Sequence, residues 1–307
     1  MTKANSEQIE ATISKIGLGT VQFGLDYGFT KKKTQDEVDE ILAFADKNGV
    51  TLLDTARSYG DSEEKIGKFI SKNSNKFVIA TKLEKINYEE SQNKNQLKSK
   101  VYSSLEKSLH SLNVKSIDIL QLHQTEEFVL DNPILWDILA QAKFEKLIKN
   151  LGISVYEEKE TIKAIESFGS LIDFIQIPYN IFDRRFEKIK EIFVEKGIKT
   201  ISRSAFLKGV IACKESDLPE ELFGLMPYKR ALKGYADNLS MRIEELALLY
   251  VYNKNFINAT ILGINSVKEL ESNLDTIEKH QDKKIENFSD IEVKDLRLID
   301  PRKWTSI

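Results

Sequence analysis

Three short apolar runs in this chain end on residues able to move or steer protons. Leu52-Leu53-Asp54 leads to a carboxylate and, five residues later, to Tyr59; Ile79-Ala80-Thr81 leads to Lys82; Leu120-Gln121-Leu122 leads to His123. Charged groups set against apolar strands are costly unless paired, so Asp54 and Lys82 are expected to neutralise each other. A lysine ammonium beside a phenol stabilises the phenolate and lowers a pKa that is otherwise about 10, while the carboxylate holds the lysine in place. The expected result is a tyrosine that gives or takes a proton near neutral pH. A neutral histidine on the next strand adds a donor that can orient a carbonyl oxygen. The set has no metal cluster and no serine or cysteine nucleophile, so hydrolysis lacks its parts. It suits protonation of a forming alkoxide, as in hydride addition to a carbonyl, with the hydride drawn from a cofactor. Two plainer expectations stand against this: an Asp54 and Lys82 pair that is only structural, and a Tyr59 that only decorates the surface.

The elements that must position these groups are legible as strand-length apolar runs alternating with segments of helical period. The expected strands are Ile16 to Val21, Thr51 to Asp54, Phe77 to Thr81, Ile117 to Leu122, Ile148 to Ile153, Asp173 to Ile177, Ile198 to Ser202 and Ala259 to Gly263. Between them, Val38, Ile41, Leu42 and Ala45 share a helix face behind a Thr34 to Glu37 capping box, and Val101, Leu105, Leu109 and Leu112 share another. Asp61 and Glu64 have the spacing of a second capping box after Tyr59. The strands are continuous rather than alternating, as expected where both faces of a parallel sheet are covered. Eight such units without a long linker predict one α/β domain over residues 1–307, a (β/α)8 TIM barrel, with a polar segment 1–15 before it and a charged tail 281–307 after it. An open doubly wound sheet is less suitable, because Gly17-Leu18-Gly19-Thr20 lacks the helix that a dinucleotide fingerprint needs. Long connections at Asp26 to Lys33, Lys82 to Lys94 and Leu207 to Asp237 are expected over the barrel mouth.

Composition narrows the partners. The 45 basic and 48 acidic residues nearly cancel and are interspersed, which speaks against a nucleic-acid surface or a polybasic membrane tail. A small-molecule partner is expected, with the chain a monomer or a weak homo-oligomer. The single Cys213 excludes an internal disulfide and suits a cytoplasmic setting; no apolar stretch is long enough for a signal or a membrane span. His110 and His280 are expected to take no part in chemistry. Tyr179 and Asn180 are either cofactor-stacking groups or core and turn residues, and Trp304 either walls the pocket or anchors the tail.

Polar residues stand at the carboxyl end of strand after strand: Asp54, Lys82, His123, Ser154, Gln176, then Arg203 and Ser204. The order and setting of Asp54, Tyr59, Lys82 and His123, with Asp54-Thr55-Ala56 leading to Ser58-Tyr59-Gly60, resemble the catalytic tetrad of the aldo-keto reductase superfamily. The similarity extends through Leu18-Gly19-Thr20, Leu151-Gly152-Ile153-Ser154, Gln176-Ile177-Pro178-Tyr179-Asn180, Arg203-Ser204-Ala205-Phe206-Leu207-Lys208-Gly209 and Leu262-Gly263 to Asn273. It implies a barrel that binds NADP, with NAD possible, across its strand ends and reduces a small-molecule carbonyl. In that resemblance Tyr59 is the general acid, Lys82 and Asp54 tune it, and His123 orients the carbonyl. Gly19, Thr20 and Asp54 fall with the cofactor-binding residues; Ser154 and Gln176 match the holders of the nicotinamide carboxamide. Ser204, Phe206, Leu207 and Gly209 match the loop over the pyrophosphate, and Gly263 and Asn273 match the adenosine end.

Two positions depart from the family pattern. Val155 replaces the usual Asn after the serine, and Arg203 stands where many members stack an aromatic ring on the nicotinamide; a planar guanidinium can stack there and adds charge. Glu269 stands near the position that meets a 2′-phosphate, where a carboxylate favours the free ribose hydroxyl of NAD, although Lys268 is adjacent and Ser266 and Glu269 also have capping-box spacing. The opening Val21 to Gly28 and the Arg203 to Leu207 loop resemble reductases of bacterial surface-sugar pathways, so a sugar carbonyl is the expected substrate class. Two other functions fit parts of the pattern: a non-catalytic cofactor-binding barrel, and a Schiff-base lyase using Lys82.

Overall fold

The computed structural model describes residues 13–26, 30–73, 76–280, 282–283, 285 and 288–305. Most of the polar segment 1–15, Tyr27, Gly28 and Phe29 of the first long connection, and parts of the tail lie outside the described residues. Eight parallel strands close into a barrel in sequence order: β1 (Ile16–Gly19), β2 (Leu52–Asp54), β3 (Val78–Lys82), β4 (Ile117–Leu122), β5 (Ile148–Ser154), β6 (Phe174–Pro178), β7 (Lys199–Arg203) and β8 (Ala259–Gly263), with β8 pairing back onto β1. The first four strands are interleaved with helices α1 (Val21–Gly24), α2 (Gln35–Lys47), α3 (Ser62–Lys72), α4 (Tyr88–Gln92), α5 (Lys94–Leu112), α6 (Glu127–Leu130) and α7 (Pro133–Phe144). The second half carries α8 (Glu158–Phe168), α9 (Lys190–Lys196), α10 (Met226–Asn238), α11 (Ile243–Tyr252), α12 (Val267–His280) and α13 (Leu296–Ile299).

Side chains alternate across each strand, and that alternation builds the site. Leu52, Val78, Ala80, Ile119, Phe174, Ile201, Ala259 and Ile261 form one buried cluster that fills the barrel. Gly17 makes room for it, since a Cβ there would stand 2.7 Å from Ile261 Cδ1. Two residues further along the same strands, on the same inward side, come Asp54, Lys82, Gln121, Gln176, Arg203 and Gly263. An apolar plug is thus capped by a polar layer at the carboxyl ends. The opposite sides of the strands, with Leu18, Leu53, Ile79, Leu120, Leu151, Ile175 and Leu262, join the helices in a second and larger core.

The expected strands match to within a residue at each end except the first. Thr20 donates through both its backbone N–H and its hydroxyl to Asp54 O, each at 3.0 Å, which turns the chain out of β1 and into the short α1. The Thr34 to Glu37 capping box forms. The Asp61 to Glu64 box does not: Asp61 has φ −95° and ψ 19°, away from the extended backbone a cap requires, and its carboxylate pairs with Lys32 at 2.9 Å and Lys65 at 3.4 Å instead. The long connection after β7 contains three 3-10 turns, and α10 begins at Met226 with Pro227 in its first turn, earlier than the sequence suggested.

The tail folds back on the barrel. Val293 N–H donates to Phe182 O at 2.9 Å, Arg184 Nη2 donates to Phe288 O at 2.6 Å, and Thr305 N–H reaches Glu221 Oε1 at 3.0 Å. Trp304 is an anchor: it is buried and its indole N–H donates to Arg297 O at 3.0 Å. Tyr179 belongs to the core, stacked on Tyr250, and Asn180 organises a turn by accepting from the Phe182 and Asp183 N–H groups at 3.0 Å each.

The loop bearing Tyr59 rests directly on α1. A Cβ on Gly24 would stand 1.7 Å from Tyr59 O, and one on Gly60, where φ is +57°, would stand 2.3 Å from Gly24 O. Gly24→Ala must therefore push the loop off its seat. We expect it to lower stability by about 1–3 kcal/mol, the range for overpacking a close contact, as read from urea unfolding midpoints. An unchanged midpoint would show that the contact is not under steric control.

Candidate active site

Asp54 is the hub of the polar layer. Lys82 Nζ lies 2.8 Å from both of its oxygens and also donates to Thr55 O at 2.9 Å. Asp54 pairs across the sheet with Ala80, so Lys82, two residues on, faces the same way and reaches back to the carboxylate. Gln176 Nε2 donates to Asp54 Oδ1 at 2.8 Å, and Ser154 Oγ donates to Gln176 Oε1 at 3.1 Å across the β5 and β6 pair. One hydrogen-bonded chain therefore joins four strands.

Tyr59 and His123 close the site above it. The Lys82 ammonium lies 5.0 Å from the centre of the Tyr59 ring, and the Tyr59 and His123 rings meet edge to face with centres 6.2 Å apart. Burial of the Tyr59 hydroxyl pushes its pKa up, and the Lys82 charge offsets only part of that. This reverses the direction expected from sequence, because withdrawal from water outweighs the neighbouring cation; the phenol is held protonated, as an acid. Burial pulls Lys82 down most strongly as a single effect, but the Asp54 carboxylate and the tyrosine together hold it above its ordinary value. His123 is lowered to about 3, first by burial and then by the charges of Lys82, Arg203 and Lys85, so its imidazole is neutral at physiological pH.

These groups line a cavity of about 360 Å³ that runs along the strand ends from Tyr59, Lys82 and His123 to Gly263, Asn265 and Glu269. Of the residues singled out in the sequence, Gly19, Thr20, Asp54, Ser154, Gln176, Arg203, Ser204, Phe206, Gly209, Gly263 and Glu269 line it as well. Leu207 and Asn273 do not: Leu207 is buried in the core, and Asn273 lies on α12 with a buried Nδ2 that has no partner among the described residues. Ser266 Oγ accepts from the Glu269 N–H at 3.2 Å, as the capping spacing expects, while Glu269 Oε2 accepts from the Asn265 N–H at 2.8 Å, so only the return bond is displaced by one residue. His280 ends α12, buried, and its ring nitrogens have no partner among the described residues. Sequence reasoning passed over Gln22, Thr30 and Tyr156, which also line the cavity. Tyr156 had a signal: it stands two residues beyond Ser154, next to the unusual Val155.

A dinucleotide suits this lining. At Gly263 a Cβ would project into the cavity, meeting only the Gln22 amide at 3.5 Å, and Gln22 Oε1 is itself buried without a partner among the described residues. The wall is open where an elongated ligand must pass, and an acceptor stands beside the opening. At Gly209, φ is +90° and a Cβ would meet nothing, so the turn over the cavity is set by backbone conformation. Ser154 and Gln176 at one end and the Asn265 to Glu269 segment at the other could hold the two ends.

Comparison with known proteins agrees. The model of the aldo/keto reductase family matches residues 15–295, and the chain belongs to that family. It is 28% identical to the chloroplastic pyridoxal reductase of Arabidopsis thaliana, covering 86% of this chain and 78% of the relative. It is also 28% identical to an uncharacterised oxidoreductase, YqkF, of Bacillus subtilis, covering 89% and 90%. The fold is similar to that of the holo aldo-keto reductase AKR11C1 from Bacillus halodurans, with a TM-score of 0.70 and 24% identity over 87% of each chain. At the family level the protein is an oxidoreductase of the NAD(P)-dependent kind.

The depressed His123 pKa has a measurable consequence. Below the ordinary histidine value of about 6.5 the unfolded chain binds a proton that the folded chain refuses, so this group's contribution to stability declines as pH falls from there towards 3. Imidazole NMR should show His123 neutral and untitrated between about pH 5 and 8. A midpoint near the ordinary value would mean that burial and the three neighbouring cations do not govern this ring.

Proposed function

We propose that the protein reduces an aldehyde or ketone to an alcohol with NADPH or NADH. Tyr59 is the general acid, Lys82 and Asp54 its tuners, and His123 the group that orients the carbonyl. The observation that carries this is the convergence of the Tyr59 phenol, the Lys82 ammonium and the neutral His123 imidazole on one wall of one cavity. When bound, the dinucleotide supplies a hydride to the carbonyl carbon. His123 donates a hydrogen bond to the carbonyl oxygen, and Tyr59 gives its proton to that oxygen as the C–O bond becomes single. The phenolate left behind is stabilised by Lys82, whose charge Asp54 fixes in place, until it regains a proton from solvent. Ser154 and Gln176 would hold the ring end of the dinucleotide, and the Ser204 to Gly209 turn and Gly263 would accommodate its phosphates and adenosine.

A Schiff-base role for Lys82 is disfavoured by its three hydrogen bonds and by a pKa held above the ordinary value, which keep it an ammonium without a free electron pair. His123, Tyr156 and Arg203 put polar groups in the lining at the chemical end, and this supports a hydroxylated substrate such as a sugar over a lipophilic aldehyde. Glu269, fixed at the cavity's far end, supports use of NAD alongside NADP.

Two measurements decide these points. Tyr59→Phe should lower turnover by ~10²-fold to 10⁴-fold, with little change in dinucleotide affinity; unchanged turnover, or borohydride trapping of substrate on Lys82, would overturn the assignment. Steady-state comparison of the two dinucleotides should give specificities within about a hundredfold of each other, a gap equivalent to under ~3 kcal/mol. A larger preference for NADPH would remove Glu269 from the account of cofactor choice.

A further inference from the structure

Arg203 is the charged group at the chemical end of the cavity that the protein does not neutralise. The Asp54 carboxylate is spent on Lys82 and Gln176, Glu269 is engaged by the Asn265 N–H at the other end, and Lys208 is already engaged. Asp183, whose charge Arg203 feels, is bound by Arg185 through contacts of 2.8 and 2.7 Å. Among the described residues no carboxylate pairs with Arg203; its one hydrogen bond runs from Nη2 to Val155 O at 3.1 Å.

The guanidinium is nevertheless held firmly. Its carbon lies 4.0 Å from the centre of the Tyr156 ring, and the carbon of Arg302, from the tail, lies 3.7 Å from the same centre. Both guanidiniums therefore pack on the Tyr156 ring. Arg302 is neutralised in turn by Asp300, which is buried and receives its Nε at 3.0 Å and Nη2 at 2.6 Å. The tail therefore braces a cation against the cavity with most of its N–H donors open. A half-buried, unpaired guanidinium is unfavourable until an anion meets it, and its planar fork is suited to a carboxylate or phosphate. The three cations that depress His123 put the same sign of potential where the carbonyl must sit.

Resting on the reductase function proposed above, we propose that the physiological substrate is an anionic carbonyl compound whose carboxylate or phosphate binds Arg203, braced by Tyr156 and Arg302. The dinucleotide's own phosphates share this chemistry, and the test must separate the two sources. Matched substrates do so: butanal against 4-oxobutanoate, and glyceraldehyde against glyceraldehyde 3-phosphate, each at saturating dinucleotide. Wild-type enzyme should prefer the anionic member of at least one pair by tenfold or more in kcat/KM, and the preference should shrink as salt is raised. In Arg203→Gln the preference should collapse, and Arg203→Lys should retain part of it; the ratio within each variant cancels any general loss of activity. Neutral members reduced as well as anionic ones would overturn the inference and leave the reductase assignment standing. An Arg203→Gln enzyme that keeps the preference, yet binds dinucleotide at least tenfold more weakly by fluorescence titration, would assign the anion to the cofactor and overturn it too. Failure to reduce any of the four would count against the reductase assignment itself.

Discussion

The structure depends on one ion pair in a place where ions are expensive. Lys82 is 1% exposed and Asp54 4%, and they meet at 2.8 Å above a plug of apolar side chains. Taking two charges out of water costs several kcal/mol for each ion, and a buried pair of this kind is often no more stabilising than an apolar replacement. Its retention is understandable if the ammonium serves a neighbour. That neighbour is Tyr59, on which Lys82 exerts the largest cationic effect, and the Gln176 and Ser154 chain completes the polar shell that the carboxylate needs.

The barrel delivers this arrangement by strand period alone. Of the inward positions two residues beyond the apolar plug, Asp54, Lys82, Gln176, Arg203 and Gly263 reach the cavity, so five strands each place one residue there without any special backbone. What the strands cannot supply is the phenol, which arrives from a loop. That loop is set by the close approach of Gly24 and Gly60, and by Ser62 Oγ, which donates to Thr20 O at 2.9 Å. The tail performs the same service on the opposite wall, clamping Tyr156 and through it Arg203. Rigid strands carry the charge pair, and two braced segments bring the groups that face the ligand.

Much of this was legible in the sequence because its signals are local. Short apolar runs bounded by polar residues marked all eight strands, and the Thr34 capping box marked a helix start. The ends of β3, β5, β6 and β7 lie one residue later than expected, since Lys82, Ser154, Pro178 and Arg203 read as loop residues although they complete the ladder. The Asp61 box failed because sequence spacing does not report ψ. The direction of the Tyr59 shift was missed for a related reason: the cation was inferred, but the depth of the hydroxyl was not. The packing of two guanidiniums on Tyr156 was invisible, because Arg203 and Arg302 are about a hundred residues apart and only tertiary contact joins them. The substrate's shape belongs to the same category, as it is set by loops whose positions no local pattern encodes.

If the Asp54 and Lys82 pair is retained for chemistry rather than for folding, stability and activity can be separated experimentally. The direct measurement is a double-mutant cycle with Asp54→Asn, Lys82→Met and the double variant, following both urea unfolding and carbonyl reduction. The account predicts that Lys82→Met loses about 3–5 kcal/mol by stranding a buried carboxylate, that the double variant recovers most of this, and that it remains ~10²-fold or more below wild type in turnover. A double variant that is less stable than either single change yet still reduces its substrate at the wild-type rate would contradict it.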